Sequence, residues 1–178
     1  MELKREIKTL IKEYSNGIKA EPDKSEYYFR RGNLFFQLNK YDKSGEDFIN
    51  AIKFTINFPE ALNNLGCVYH LQNNLLLAEK YFSEALQFKP DYEIAIKNRG
   101  LTYYKLQKYD KALKDLSELD PIEELKKKIP GLVVLTGYDD RAVKVEKLKD
   151  DLEINLFKYL KIDYTKILQE VKENAGIS

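Results

Sequence analysis

Asn64-Leu65-Gly66-Cys67-Val68-Tyr69 has a counterpart on either side: Arg30-Arg31-Gly32-Asn33-Leu34-Phe35 before it and Asn98-Arg99-Gly100-Leu101-Thr102-Tyr103 after it. The three glycines are spaced 34 residues apart, a period that marks a helix–turn–helix repeat stacking into a solenoid. With units set at 25–58, 59–92 and 93–126, other columns keep their size class. Tyr28, Leu62 and Ile96 share one column; Phe35, Tyr69 and Tyr103 another; Tyr41, Leu75 and Tyr109 a third. Small residues recur at Ser44, Ala78 and Ala112, and large ones at Phe48, Phe82 and Leu116. Ala51 and Ala85 keep a further small column, in which the third unit has Leu119. Small residues suit close helix approach and large ones fill the space between.

The pattern resembles the tetratricopeptide repeat, most closely in the middle unit, from Asn64 to Tyr69 and on through Ala78, Phe82, Ala85 and Pro90. The resemblance implies an A helix and a B helix per unit, with the A helices lining a concave groove that holds a peptide or protein segment. There are departures. Arg31 and Arg99 replace the apolar residue before the glycine. Ile56 and Glu124 stand where a proline is expected, and Pro121 comes three residues early.

One period back, Leu10, Tyr14, Gly17 and Pro22 fall on the matching columns. Residues 2–20 therefore read as a lone B helix, with Leu3, Ile7, Leu10, Ile11, Tyr14 and Ile18 on one apolar face. Such a half-repeat, or an unrelated capping helix in its place, shields the end of the stack.

After residue 119 the register is lost. Pro121 is placed to start a short helix, Ile122–Ile129, and Pro130-Gly131 to break it. Leu132-Val133-Val134-Leu135 reads as a strand or a buried turn, which periodicity alone does not separate. A helix capped by Asp139 or Asp140 is expected to run to about Leu160, with Val145, Leu148, Leu152, Leu156 and Tyr159 on its apolar face. A last helix follows, with Asp163 as cap and Tyr164, Ile167, Leu168 and Val171 buried. These helices either cap the third unit, enter the groove or pair with another copy. The first of them is expected to cover the exposed end of the third unit. Their seam lasts about two heptads, short of a coiled coil.

In 178 residues, 30 basic and 29 acidic side chains leave a net charge of +1, which removes the usual electrostatic argument for nucleic acid. A single cysteine allows no internal disulfide. The charged start does not read as a targeting peptide, and no apolar run approaches the roughly 20 residues of a membrane span. A cytoplasmic setting is the expectation.

Chemistry has few places to reside. Cys67 and His70 lie three apart on an A helix, the spacing a thiol–imidazole pair requires, but no third group orients them. Packing explains both residues. No metal-ligand spacing is present, and Gly131–Gly137 lacks the Lys-Ser/Thr of a phosphate loop. Neither catalysis nor a cofactor is expected.

The resemblance points Glu26, Phe29, Arg30, Asn33, Phe36 and Gln37 into the groove from the first unit. The second unit contributes Glu60, Asn63, Asn64, Cys67, His70 and Leu71, and the third Ile94, Lys97, Asn98, Leu101, Tyr104 and Lys105. Asparagine amides both donate to and accept from a peptide backbone. Phe29, Phe36 and Tyr104 are candidate anchors, and Arg30, Lys97 and Lys105 candidate carboxylate partners. Of the five residues that form a carboxylate clamp in the family's co-chaperones, Asn33 and Asn64 are kept. Phe29, Ile94 and Asn98 occupy the other three places, which does not support a heat-shock chaperone clamp.

The chain is thus expected to be an all-α, α–α superhelical solenoid of about 3.5 repeats. Its parts are a capping half-repeat at 1–24, three repeats over 25–120 and a helical extension over 121–178. It is read as a non-catalytic module that binds a peptide or protein and serves as adaptor or scaffold. The alternative is a self-association module that forms a homodimer through its C-terminal helices.

Overall fold

The computed structural model describes residues 2–117 and 153–176. The short helix expected over Ile122–Ile129, the stretch 132–135 read as a strand or a buried turn, and the expected helix start at Asp139 or Asp140 lie outside them. All regular structure among the described residues is helical. The helices are α1 (Glu2–Ala20), α2 (Ser25–Gln37), α3 (Tyr41–Phe54), α4 (Pro59–Leu71), α5 (Leu75–Phe88), α6 (Glu93–Lys105), α7 (Tyr109–Ser117), α8 (Leu156–Leu160) and α9 (Tyr164–Asn174). Each helix from α1 to α7 packs on the next in sequence, which makes α2/α3, α4/α5 and α6/α7 the A/B pairs of a solenoid.

The glycine column is a contact rule within each pair. A Cβ built on Gly32 would lie 2.8 Å from the Phe48 ring, on Gly66 2.7 Å from Phe82, and on Gly100 2.6 Å from Leu116. Each glycine thus makes room for the large residue sixteen positions later, and Phe48, Phe82 and Leu116 are fully buried.

A second device repeats at the same period. Asn39, Asn73 and Gln107 take left-handed φ values of 57°, 61° and 58° just after each A helix. The following N–H reaches back to the helix: Lys40 to Phe35 O, Asn74 to Tyr69 O and Lys108 to Tyr103 O, at 2.8–2.9 Å. This Schellman closure turns the chain into the B helix while satisfying end carbonyls.

The arginines that depart from the repeat have partners. Arg31 makes a two-pronged pair with Asp47 at 2.8 and 2.7 Å and also donates to Ser15 Oγ. Arg99 does the same with Asp115 at 2.7 and 2.8 Å and with Ser83. The corresponding residues of the middle unit are Ile49, Leu65 and Tyr81. The first and third units therefore carry a polar triad where the middle one carries an apolar one.

The C-terminal segment departs from the expected arrangement. Residues 153–155 are not helical; only Leu156–Leu160 forms α8, capped by the Asn155 side chain, which accepts from the Lys158 N–H. Among the described residues, the element covering the end of the third unit is α9. It packs on α7 and α6, burying Leu168 and Val171. Asp163 caps it as expected, accepting from the Thr165 and Lys166 N–H groups.

Candidate functional site

The A helices α2, α4 and α6 bring four asparagines into one file. Asn33 is 6% exposed, while Asn63, Asn64 and Asn98 are fully buried. Buried amides without partners are costly, so their bonds require a full account.

The file is a connected ladder. Asn33 Nδ2 donates to the Phe29 carbonyl at 3.1 Å, so Asn33 Oδ1 is left to accept from Asn64 Nδ2 at 2.8 Å. Asn64 Oδ1 accepts from Asn63 Nδ2 at 3.0 Å. Asn63 Oδ1 accepts from Asn98 Nδ2 at 2.9 Å. The ladder's direction is fixed at one end by a carbonyl that only accepts, and at the other by an N–H that only donates.

What completes it is main chain. The Ile154 N–H donates to Asn64 Oδ1 at 2.9 Å. The Ile154 carbonyl accepts from Asn63 Nδ2 at 3.0 Å and from Asn98 Nδ2 at 2.7 Å. The Leu156 N–H donates to Asn98 Oδ1 at 2.7 Å. Three side chains from two repeats thus grip a stretch of non-helical backbone at its N–H and C=O groups, irrespective of side-chain identity. The chain's own residues 153–156 lie across the inner face as a bound peptide would. The Cys67 thiol points at the same carbonyl from 3.5 Å.

Side chains anchor the segment on both flanks. Leu156 and Phe157 are buried in the main core cluster together with Leu101, and α8 packs on α6. Tyr159 packs against Phe36 with ring centroids 4.9 Å apart and planes inclined by 60°, and its hydroxyl donates to Asn39 Oδ1 at 2.6 Å. Burial and the Tyr41 hydroxyl push the Tyr159 pKa up to about 12. Between α2 and the segment remains a cavity of about 260 Å³, lined by Asn33, Phe36, Gln37, Glu153, Ile154, Asn155, Lys158 and Tyr159.

The remaining sequence-predicted residues have other partners. Phe29 packs against Phe48 and Phe58 and is 2% exposed. Arg30 pairs with Glu26 on its own helix, and Lys97 with Glu93 at 3.7 Å. Tyr104 donates its hydroxyl to Glu170 of α9. Sequence reading missed Asn39, Tyr41 and Tyr159; the recurrence of Asn39 and Asn73 one period apart was the available signal.

His70 is 1% exposed. The Thr102 hydroxyl donates to the Asn98 carbonyl at 2.8 Å, so its oxygen is left to accept from His70 Nδ1–H at 2.8 Å. This fixes the neutral Nδ1–H tautomer, and burial with nearby Lys105 lowers the His70 pKa to about 3. Burial pushes the Cys67 thiol well above its usual range, the reverse of what a thiolate nucleophile needs. No cluster of three metal-ligating side chains occurs among the described residues, and no described helix is long and apolar enough to cross a membrane.

Two family models match, one described as TPR repeat over residues 32–73 and one as tetratricopeptide repeat over residues 59–92. The chain is similar to neutrophil cytosol factor 2 of Bos taurus, 40% identical over 55 residues, which make up 31% of this chain and 10% of that protein. It is 26% identical over 152 residues to anaphase-promoting complex subunit 3 of Schizosaccharomyces pombe, covering 83% of this chain and 23% of that one. The chain therefore spans less than a quarter of the length of either relative. Among solved structures, the first TPR of Spaghetti bound to an HSP90 peptide aligns with a TM-score of 0.54 and 26% identity, over 58% of this chain and 89% of that one. MamA aligns with a TM-score of 0.63 and 17% identity, over 97% of this chain and 86% of that one.

Proposed function

Because this chain is a tetratricopeptide-repeat protein, we propose that its inner face is a recognition groove for an extended peptide or protein segment, and that it acts as a non-catalytic adaptor or scaffold in the cytoplasm. The observation that carries this reading is the asparagine ladder. Asn63, Asn64 and Asn98 meet the N–H and C=O of Ile154 and the N–H of Leu156, so the groove already holds a main chain. Buried amides facing a backbone are poor choices for mere filling, since apolar groups would pack there without needing partners. The peptide-bound Spaghetti repeat aligns with 58% of this chain. A carboxylate clamp is not part of the proposal, because Phe29, Ile94 and Asn98 occupy three of its five places.

The test uses a chain whose own segment is weakened. Leu156→Pro deletes the N–H that Asn98 accepts, at the first position of α8, where proline is well tolerated. Asn155 already has the extended conformation (φ −106°, ψ 114°) that a following proline favours. Displayed random peptides are selected on this variant, and their affinities are compared with those for Leu156→Pro carrying Asn64→Ala. A loss of about 1–3 kcal/mol is expected. Equal affinity would place the ligand elsewhere on the solenoid.

A further inference from the structure

We infer that residues 153–160 are a built-in ligand that closes the groove, and that the partner displacing them carries an apolar–x–apolar–aromatic stretch like Ile154-Asn155-Leu156-Phe157, extended at its first two residues and entering a helical turn at the third. The inference rests on the proposed groove and adds its regulation and the chemistry of its ligand.

Three observations carry it. The first is the kind of contact. The ladder reads the segment through backbone groups, so any peptide of the same conformation forms the same bonds. The asparagines also bond to one another, which keeps their amides aligned whichever chain lies on them. The second is connectivity. The segment returns to the groove after residues 118–152, and its backbone bonds to α4 and α6 join residues 56–91 apart in sequence. A tethered ligand of this kind competes at an effective concentration on the order of millimolar. A free peptide must therefore outbid it or meet a chain in which it has been loosened.

The third observation is that closure is incomplete. The cavity of about 260 Å³ lies between α2 and the segment. Gln37 lines it, and its buried Oε1 has no hydrogen-bond partner among the described residues. An incoming peptide has room to dock there, with the Phe36 ring as an apolar wall, before the main-chain bonds at Ile154 are exchanged. The apolar pattern follows from the sites vacated: Leu156 and Phe157 are 0% and 7% exposed, and Ile154 is 9% exposed.

The experiment titrates a fluorescein-labelled peptide of residues 151–161 into the full chain and into full-length Leu156→Pro, following anisotropy. The variant is expected to bind at least tenfold more tightly than the parent chain. In parallel, hydrogen exchange at the Ile154 and Leu156 amides of the unaltered chain is expected to accelerate when the peptide is added in excess. That arm needs no substitution and decides the matter alone should Leu156→Pro fail to fold. Equal affinity for both chains, with unchanged exchange, overturns the built-in ligand and leaves the groove's binding function standing. Absence of binding to both overturns the two together, making the segment part of the core. A parent chain that light scattering shows to be a dimer exchanging this segment between copies overturns the intramolecular assignment.

Discussion

Asn98 and Leu156 are joined through main chain: the Leu156 N–H donates to Asn98 Oδ1 at 2.7 Å, while the same amide's Nδ2 holds the Ile154 carbonyl at 2.7 Å. One buried side chain therefore satisfies a donor and an acceptor two residues apart. Asn98→Ala leaves both without that partner and should cost about 1–3 kcal/mol of folding stability. Urea unfolding checks this against Asn74→Ala, an exposed turn substitution expected to stay within about 0.5 kcal/mol. An Asn98→Ala chain as stable as the control would contradict the bonding described.

The glycine–aromatic contact predicts a paired effect. Gly66→Ala drives a Cβ to 2.7 Å from the Phe82 ring and should destabilise by roughly 1–3 kcal/mol through overpacking. Phe82→Ala on top of it should cost less than the sum of the two single losses, since removing the ring frees the space the new Cβ takes. Strictly additive losses in the double variant would show that the two residues do not press on each other.

Among the described residues, Arg31 is the only ion-pair partner of Asp47, which is 3% exposed. Burial raises the Asp47 pKa, and Arg31 opposes that rise. Arg31→Leu strands a buried carboxylate and should cost about 3 kcal/mol or more. Replacing both residues as the middle unit does, Arg31→Leu with Asp47→Tyr, should restore most of it. Thermal unfolding of the single and double variants decides; a double variant no better than the single contradicts the reading of these arginines as one half of an exchangeable pair.

His70 predicts a pH dependence. Its pKa is lowered to about 3 in the folded chain from an ordinary 6.5, so below pH 6.5 the unfolded chain binds a proton that the folded one does not. Stability is complete above the unfolded value and falls as the pH drops towards 3, by about 1.4 kcal/mol per unit. Between pH 6.5 and 5 the loss should be about 2 kcal/mol. This is the sole histidine, so the slope in that window is assignable. His70→Gln should flatten it in urea unfolding at the two pH values, and a slope that survives the substitution would contradict the buried neutral imidazole.

How much was legible follows from the range of each interaction. The contacts between each glycine and the large residue facing it were readable because they join residues sixteen apart and recur at a fixed period, so one pattern reports three contacts. The four asparagines were readable as inward positions through the resemblance to the tetratricopeptide repeat, which assigns those places to the groove. The Arg31–Asp47 and Arg99–Asp115 pairs were present at that same spacing but registered only as departures, because arginine was compared with the family's apolar choice and not with its partner sixteen residues on. The groove's occupant was not legible. Asn98 meets Ile154 across 56 residues, and the segment has no repeat to expose it. Extending the helical spacing of Leu148, Leu152 and Leu156 also hid the non-helical residues 153–155, where the backbone forgoes helix bonds for asparagine amides.

The most direct measurement is a ¹H–¹⁵N spectrum of the side-chain amides in Leu156→Pro, recorded while the peptide of residues 151–161 is added. If the asparagine ladder is the recognition element, the Nδ2 resonances of Asn63, Asn64 and Asn98 shift together and saturate with one binding constant, while that of the exposed turn residue Asn74 stays in place. Peptide binding that leaves those three amides unmoved would contradict the account.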